Sequence, residues 1–194
     1  ETNQRPATAR VLIALTRARA MPAADPPTVR LLTHSDLPAY KRLRDEGLRS
    51  DPTAFTSDYA SASPLPASTY ARRLGQPPDD DFILGAFDGD GALIGAVVCV
   101  RAERQKERHL ADLVGMVVAT PARGRGVGTA LLQAVDAHVR QLPGVEQVLL
   151  SVTASNAAAV RLYEGAGFQR YGLLARAICV DGVYHDKALM TKTL

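Results

Sequence analysis

The sequence predicts a mixed α/β domain, a mixed sheet covered by helices on both faces. Three observations carry this. From about residue 28 onward, strand-like and helix-like segments alternate, the pattern of a layered architecture. Several neighbouring strands are joined by tight turns, so the sheet mixes antiparallel pairs with parallel ones. A chain of 194 residues, 46% of them apolar, is ordinary for one globular domain with a sizeable core.

Residues 1–20 stand apart. They hold Arg5, Arg10, Arg17 and Arg19 against Glu1, with one short apolar cluster from Val11 to Leu15. A secretory apolar core is longer than that. Met21 is a candidate natural start, and the proline-rich MPAADPP that follows reads as a linker. Residues 1–27 are expected to form a poorly ordered extension, and the domain to run over 28–194. The whole chain carries +3, and residues 1–20 already sum to +3, so the remainder is neutral. A pI near 9.0 therefore gives no basic face for a nucleic-acid backbone. No apolar run reaches the ~18 residues of a membrane span. Cys99 and Cys179 form no C-x-x-C pair and no metal spacing with the four histidines; they read as buried reduced thiols of a cytoplasmic protein.

Val29 to Leu32 reads as the first strand. Ser35 is the candidate N-cap of a helix running to about Leu48, with Leu37, Tyr40, Leu43 and Leu48 at roughly helical spacing. Asp51 to Pro66 is loop by composition, and a short helix is expected over about Ser68 to Leu74. Phe82 to Phe87 and Ala92 to Ala102 form a hairpin around Asp88-Gly89-Asp90-Gly91. The charge run from Arg101 to His109 is a solvated turn. Leu110 to Val118 is the central strand, and Gly126 to about Leu142 is a helix. Val127, Leu131, Val135 and Val139 recur along its sheet-facing side. Pro143-Gly144 ends it. Gln147 to Val152 is a strand and Asn156 to Glu164 a short helix closed by Gly165 and Gly167. Phe168 to Tyr171 and Ala175 to Val180 extend the sheet. Asp181-Gly182 is a two-residue turn before the last strand, Tyr184 to Thr191.

Chemistry concentrates between the central strand and the helix after it. Gly124, Gly126 and Gly128 alternate there with Arg125 and Val127, preceded by Arg123. Glycines allow close backbone approach, a helix N-terminus offers unpaired N–H groups and positive dipole, and arginines add charged donors. Together they make a phosphate cradle. A Walker loop fails, because Thr129-Ala130 stands where Lys-Ser/Thr is needed. The dinucleotide fingerprint fails too: the spacing is G-x-G-x-G, and Glu146 precedes its apolar run instead of ending it.

Arg123-Gly124-Arg125-Gly126-Val127-Gly128 matches [R/Q]-x-x-G-x-[G/A]. About thirty residues on, Ser151 to Phe168 holds an Asn opening a helix, a Leu-Tyr pair and Gly-Phe before the next strand. The two linked motifs resemble the pyrophosphate loop and the second signature of the GNAT superfamily of acyl-CoA N-acyltransferases, from about Val29 to the C-terminus. The resemblance implies a mostly antiparallel central sheet of about seven strands. It implies acetyl-CoA as co-substrate, held by Arg123 to Thr129 at the pyrophosphate, by the backbone of Met116, Val117 and Val118 along the pantetheine arm, and by Asn156. Asn156 is also a candidate N-cap of its own helix. A backbone N–H at Met116 or Val117 would polarise the thioester carbonyl. Phe55 and Tyr59 are the aromatics near the implied acceptor pocket. Tyr163 matches the family's general acid, since a phenol keeps its proton at neutral pH.

The general base is open. Asp112 is expected to share a strand face with Val114 and Met116, where some relatives carry a catalytic Glu. It is one methylene shorter, and would act through water. Glu103, Glu107, His109 and His185 are alternatives. Pro121 lies one place nearer the arginine than the proline common in relatives. Neither signature holds a cysteine, so transfer is expected to be direct, in a ternary complex and without a metal. The acceptor is an unidentified small-molecule or peptide amine, with neither nucleic acid nor membrane as partner, and a homodimer is compatible with the family. Two rivals stand beside this reading: a non-catalytic acyl-CoA-binding module or sensor, and a nucleotide-binding oxidoreductase.

Overall fold

A computed structural model describes residues 26–74 and 80–194. The expected extension and the candidate start at Met21 lie almost wholly outside the described residues. Strand β1 is Thr28–Leu31. A short 3-10 turn, His34–Asp36, leads into helix α1, Leu37–Ser50. The expected cap at Ser35 lies inside that turn. Thr33 caps the turn in a reciprocal pair with Asp36, whose carboxylate accepts the Thr33 N–H at 2.8 Å, and Asp36 is itself the N-cap position of α1. Arg30 grips the same carboxylate at 2.7 and 2.8 Å. The stretch from Asp51 to Pro66 is more regular than its composition suggests. It holds a 3-10 turn, Pro52–Ala54, and helix α2, Tyr59–Ala62, capped by the Asp58 side chain. A longer 3-10 segment follows, Ala67–Arg73.

Strands β2 (Phe82–Phe87), β3 (Leu93–Arg101) and β4 (Leu110–Val118) form an antiparallel meander. Helix α3, Val127–Val139, ends before the turn at Pro143-Gly144, and β5 is Gln147–Thr153. Helix α4 is Ala157–Gly165. The two short strands expected after it are one, β6 (Gln169–Val180), with irregular register beside Tyr171 and between Leu174 and Ile178. Asp181 and Gly182, at φ of 49° and 79°, turn the chain into β7, Val183–Thr193.

The seven strands lie in the order β1-β2-β3-β4-β5-β7-β6, with β4 and β5 parallel and every other neighbouring pair antiparallel. Two apolar clusters cover the two faces. Helix α3 buries Val127, Leu131, Val135 and Val139 against Phe82, Leu84, Val97, Leu113 and Val148. Helix α1 buries Tyr40 and Leu43 against Ile83, Ala96, Val98 and Val117. Gly47 lets α1 seat close on β4, because a Cβ there would stand 2.7 Å from Val117 Cγ2. Cys99 is buried, and burial pushes its thiol up to about 12. Cys179, expected to be buried, is exposed on β6. Among the described residues, no helix is long and apolar enough to cross a membrane.

Candidate active site

The site begins where the sheet comes apart. Strands β4 and β5 pair only over Leu110↔Gln147, Ala111↔Val148 and Asp112↔Leu149. Beyond Asp112 each continues without the other. The cause lies in β4. Its register against β3 shifts between Ala96↔Val117 and Val98↔Val114, so Gly115 and Met116 together oppose Val97. This is a β-bulge, and Gly115 takes the left-handed φ of 64° that such a bulge uses. The bulge reverses the facing of everything after it. Before it, Ala111 and Leu113 point into the α3-side cluster; after it, Met116 and Val118 pack on that side and Val117 turns to the α1 side. Asp112 therefore shares a face with Val114 but not with Met116. The alternation of residues in β4 predicts otherwise, because period-2 reasoning assumes an unbroken strand.

The gap opens a cavity of about 500 Å³. Its lining includes Leu113 to Met116 of β4, Ser151 to Thr153 of β5, and Asn156, Ala159 and Tyr163. Tyr163 packs edge-on against Phe168, and its hydroxyl donates to Met116 Sδ at 3.5 Å. Burial pushes its phenol up to about 12, so it keeps its proton throughout the physiological range. Asn156 caps α4, its Oδ1 accepting the Ala159 N–H at 3.1 Å, which leaves its amide N–H groups for a ligand. Phe55 lines the cavity; Tyr59 is exposed and is not among the lining residues. Asp112 is exposed and is not among them either, although partial desolvation raises its pKa. No Asp, Glu or His lines the cavity among the described residues.

At the open end of β4 lie the residues of the expected cradle. Gly126 is the N-cap of α3 at φ 80°, and Gly124 has φ 72°. A Cβ on either would meet nothing within 4 Å, so both glycines serve backbone shape and open space. The first internal bond of α3 runs from the Ala130 N–H to the Gly126 carbonyl at 3.0 Å. The N–H groups of Val127, Gly128 and Thr129 thus precede the helix ladder. Gly128 plays a different part from the other two glycines. A Cβ there would lie 2.8 Å from Leu162 Cδ2 and 3.4 Å from Met116 Cε, so this glycine lets α3 pack against α4 and β4. The side chain of Val127 is 2% exposed and leaves only its backbone to the cradle. The Arg123 guanidinium is already engaged: Nε donates to the Val118 carbonyl at 3.2 Å and Nη2 meets Asp51 at 2.5 Å. Arg125 is exposed and borders a smaller cavity of about 280 Å³ with Asp88 and Asp90.

Sequence reasoning missed the far wall of the main cavity. Tyr40 and Arg44 come from α1, Thr56 and Ser57 from the loop before α2, Arg72 and Arg73 from the 3-10 segment, and Lys187 from β7. Lys187 is 9% exposed and donates to Thr56 Oγ1 at 2.8 Å. Burial lowers its pKa. Two signals could have pointed there: Tyr40 and Arg44 lie one helical turn apart, and Lys187 directly precedes the apolar run Ala188 to Met190 of β7.

Residues 46–168 match the family model described as the acetyltransferase (GNAT) family. A mycothiol acetyltransferase of Salinispora tropica is 33% identical over 84% of this chain, but the match covers 53% of that protein. The chain thus spans about half the length of the mycothiol acetyltransferases that it matches at this level. The L-amino acid N-acetyltransferase AaaT of Escherichia coli is 23% identical over 84% of this chain and 96% of its own length. Among solved structures, a GNAT superfamily phosphinothricin acetyltransferase from Sinorhizobium meliloti, in complex with AcCoA, superposes with a TM-score of 0.71. It is 23% identical, over 87% of this chain and 88% of that one. On the family match, with the seven-stranded sheet parted between β4 and β5, the chain belongs to the acetyltransferase (GNAT) family.

Proposed function

We propose that this chain is an N-acetyltransferase domain that moves an acetyl group from acetyl-CoA to an amine by direct attack. The observation that carries the reading is the parting of β4 from β5 with the N-terminus of α3 at its open end. A parted strand leaves main-chain groups for an extended ligand arm. The α3 N-terminus and the open space beside Gly124 and Gly126 suit a pyrophosphate. Acetyl-CoA has both parts. In this reading Met116, Val117 and Val118 bind the arm, and the backbone of Arg123 to Thr129 binds the pyrophosphate. The Arg123 side chain braces the loop. An N–H of Met116 or Val117, beside the bulge, polarises the thioester carbonyl, and the Asn156 amide steadies the arm.

The amine nitrogen bonds to the acetyl carbon as the carbon–sulfur bond breaks. The ammonium loses two protons in becoming an amide: one goes to water and one reaches the sulfur, which leaves as a thiol. In this reading Tyr163, a lining residue of the cavity, attends the departing sulfur. A phenol at about 12 is a weaker acid than an alkyl thiol near 8.5. Its first service is therefore a hydrogen bond to the developing thiolate, and the same dry cavity raises the thiolate's own affinity for the proton. Asp112 stays a proposal for the base through a water relay, from outside the cavity.

Calorimetry with acetyl-CoA, and with NADH and ATP as controls, tests the reading. Micromolar binding of acetyl-CoA alone is the expected result. Absence of binding by folded protein removes the transferase and the acyl-CoA sensor together. Binding without turnover over a broad set of amines would favour the sensor.

A further inference from the structure

We infer that the acceptor is a small amine carrying a carboxylate, an amino-acid-like molecule, held by the cationic wall of the cavity; the inference rests on the acetyl-transfer reading for the role of its amine. Four cationic residues line the cavity, Arg44, Arg72, Arg73 and Lys187, and none of its described lining residues is acidic. Elsewhere among the described residues, the half-buried cations are answered: Lys41, Arg101, Arg108 and Lys192 each meet a carboxylate, and those left without one are exposed to water. Among the described residues, none of the four cavity cations meets a carboxylate. Moreover, Arg44 Nε and Arg73 Nη1 are buried with no hydrogen-bond partner among those residues. Charged donors left buried without partners are costly, and they persist where a ligand completes them.

The four are gathered, not scattered. Burial raises the pKa of the Tyr40 phenol, and Arg44 and Arg73 both lie close enough to pull against that rise; the ring lies against Tyr70 at 5.2 Å. The Arg44 guanidinium sits over that Tyr70 ring at 5.6 Å and reaches Ser57 Oγ at 3.1 Å. Such a wall selects by sign. A carboxylate satisfies the open guanidinium donors in charge-assisted bonds. A polyamine brings only like charge, and a peptide N-terminus brings no carboxylate beside its amine. The same cations lower the pKa of a nearby ammonium, because a like charge disfavours its charged form. They therefore also raise the share of neutral amine, in a cavity where no described side chain is an acidic base.

The test compares an α-amino acid with its carboxamide, which removes the charge at nearly constant size, with spermidine as a third acceptor. The amino acid should show kcat/KM at least about tenfold above its amide, since a site built for a polar group rejects the analogue lacking it. Arg73→Gln should raise KM for the acid and bring the acid-to-amide ratio toward one, with acetyl-CoA affinity held and partial recovery in Arg73→Lys. Equal or faster turnover of the amide or of spermidine overturns the inference, as does loss of both acid and amide in equal measure. So does failure to turn over any amino acid in protein that binds acetyl-CoA. Binding of N-acetyl amino acids against their amides, read by calorimetry, separates the two levels. Preference for the free acid without acetyl-CoA binding would leave the anion pocket standing and remove the transferase reading.

Discussion

On the α3 side of the parted sheet the groups offered to a ligand are backbone: the N–H groups that begin α3, the bulged strand at Gly115 and Met116, and two glycines with positive φ. On the α1 side they are side chains: Arg44, Arg73, Thr56 and Lys187, brought together from a helix, a 3-10 segment, a loop and the last strand. A backbone cradle depends on a few contiguous residues that suppress side chains. A side-chain wall depends on tertiary packing and can be rebuilt one residue at a time. The first suits a ligand common to a family, and the second suits an acceptor that differs from member to member.

The sharpest way to break this contrast is at the cradle. Gly126→Val puts a β-branched residue where φ is 80°, a conformation such residues avoid. It also places a side chain in the space proposed for the pyrophosphate. Acetyl-CoA affinity should fall by roughly a hundredfold or more, the order expected when several charge-assisted bonds are lost. Calorimetry reads this, with circular dichroism to show that the variant folds. Retained affinity in folded protein would mean that the α3 N-terminus is not the phosphate site.

The same contrast explains what could be read before the structure. Local pattern sets the turn between β4 and α3, so that turn, the α3 face through Val127, Leu131, Val135 and Val139, and the Asp181-Gly182 turn were all legible. Gly128 shows the limit of that reading. Its place in a glycine pattern suggested ligand approach, and only the position of Leu162 reveals a packing role. The bulge at Gly115 was likewise hidden, because a glycine in a strand does not announce which way the facing will turn; with it went the expected alignment of Asp112 and Met116. Ser35 lost the cap because a 3-10 turn starts at Thr33, where Asp36 reaches back to the Thr33 N–H and is itself held by Arg30, so that α1 begins after Asp36. The cationic wall was illegible for the plainest reason: Arg44, Arg73 and Lys187 are distant in sequence, and no short motif contains any two of the three.

A smaller effect is expected at Tyr163, the proposed partner of the departing sulfur. Tyr163→Phe removes one hydroxyl whose partner is Met116 Sδ and leaves the ring against Phe168. Turnover should fall by roughly a hundredfold, the usual scale for a positioned proton donor, while acetyl-CoA affinity stays near that of the parent. Steady-state rates with saturating acetyl-CoA measure the first and calorimetry the second. Unchanged turnover would remove the hydroxyl from the mechanism and leave Tyr163 as a packed aromatic.

The smallest effect tests whether the two halves are independent. Asp51, the residue that ends α1, holds Arg123 of the cradle at 2.5 Å and accepts from Ser50 Oγ at 2.7 Å. The pair is part-exposed, with side chains 44% and 36% accessible, so Asp51→Asn should cost no more than about 1 kcal/mol at neutral pH. The sign with pH follows from linkage. Arg123 holds the Asp51 carboxyl below its ordinary 3.8, so the folded state binds the proton less readily than the unfolded one. The stabilisation is then complete above 3.8 and disappears as pH falls through the lowered value. Urea unfolding at pH 7 should separate parent from variant, and the gap should narrow as pH falls below 3.8. If the bridge only braces the loop, acetyl-CoA affinity changes less than about threefold, because the backbone groups of the cradle remain in place. A loss beyond tenfold would mean that the acceptor half sets the geometry of the cradle, and the division into a backbone side and a side-chain side would fail at the residue that joins them.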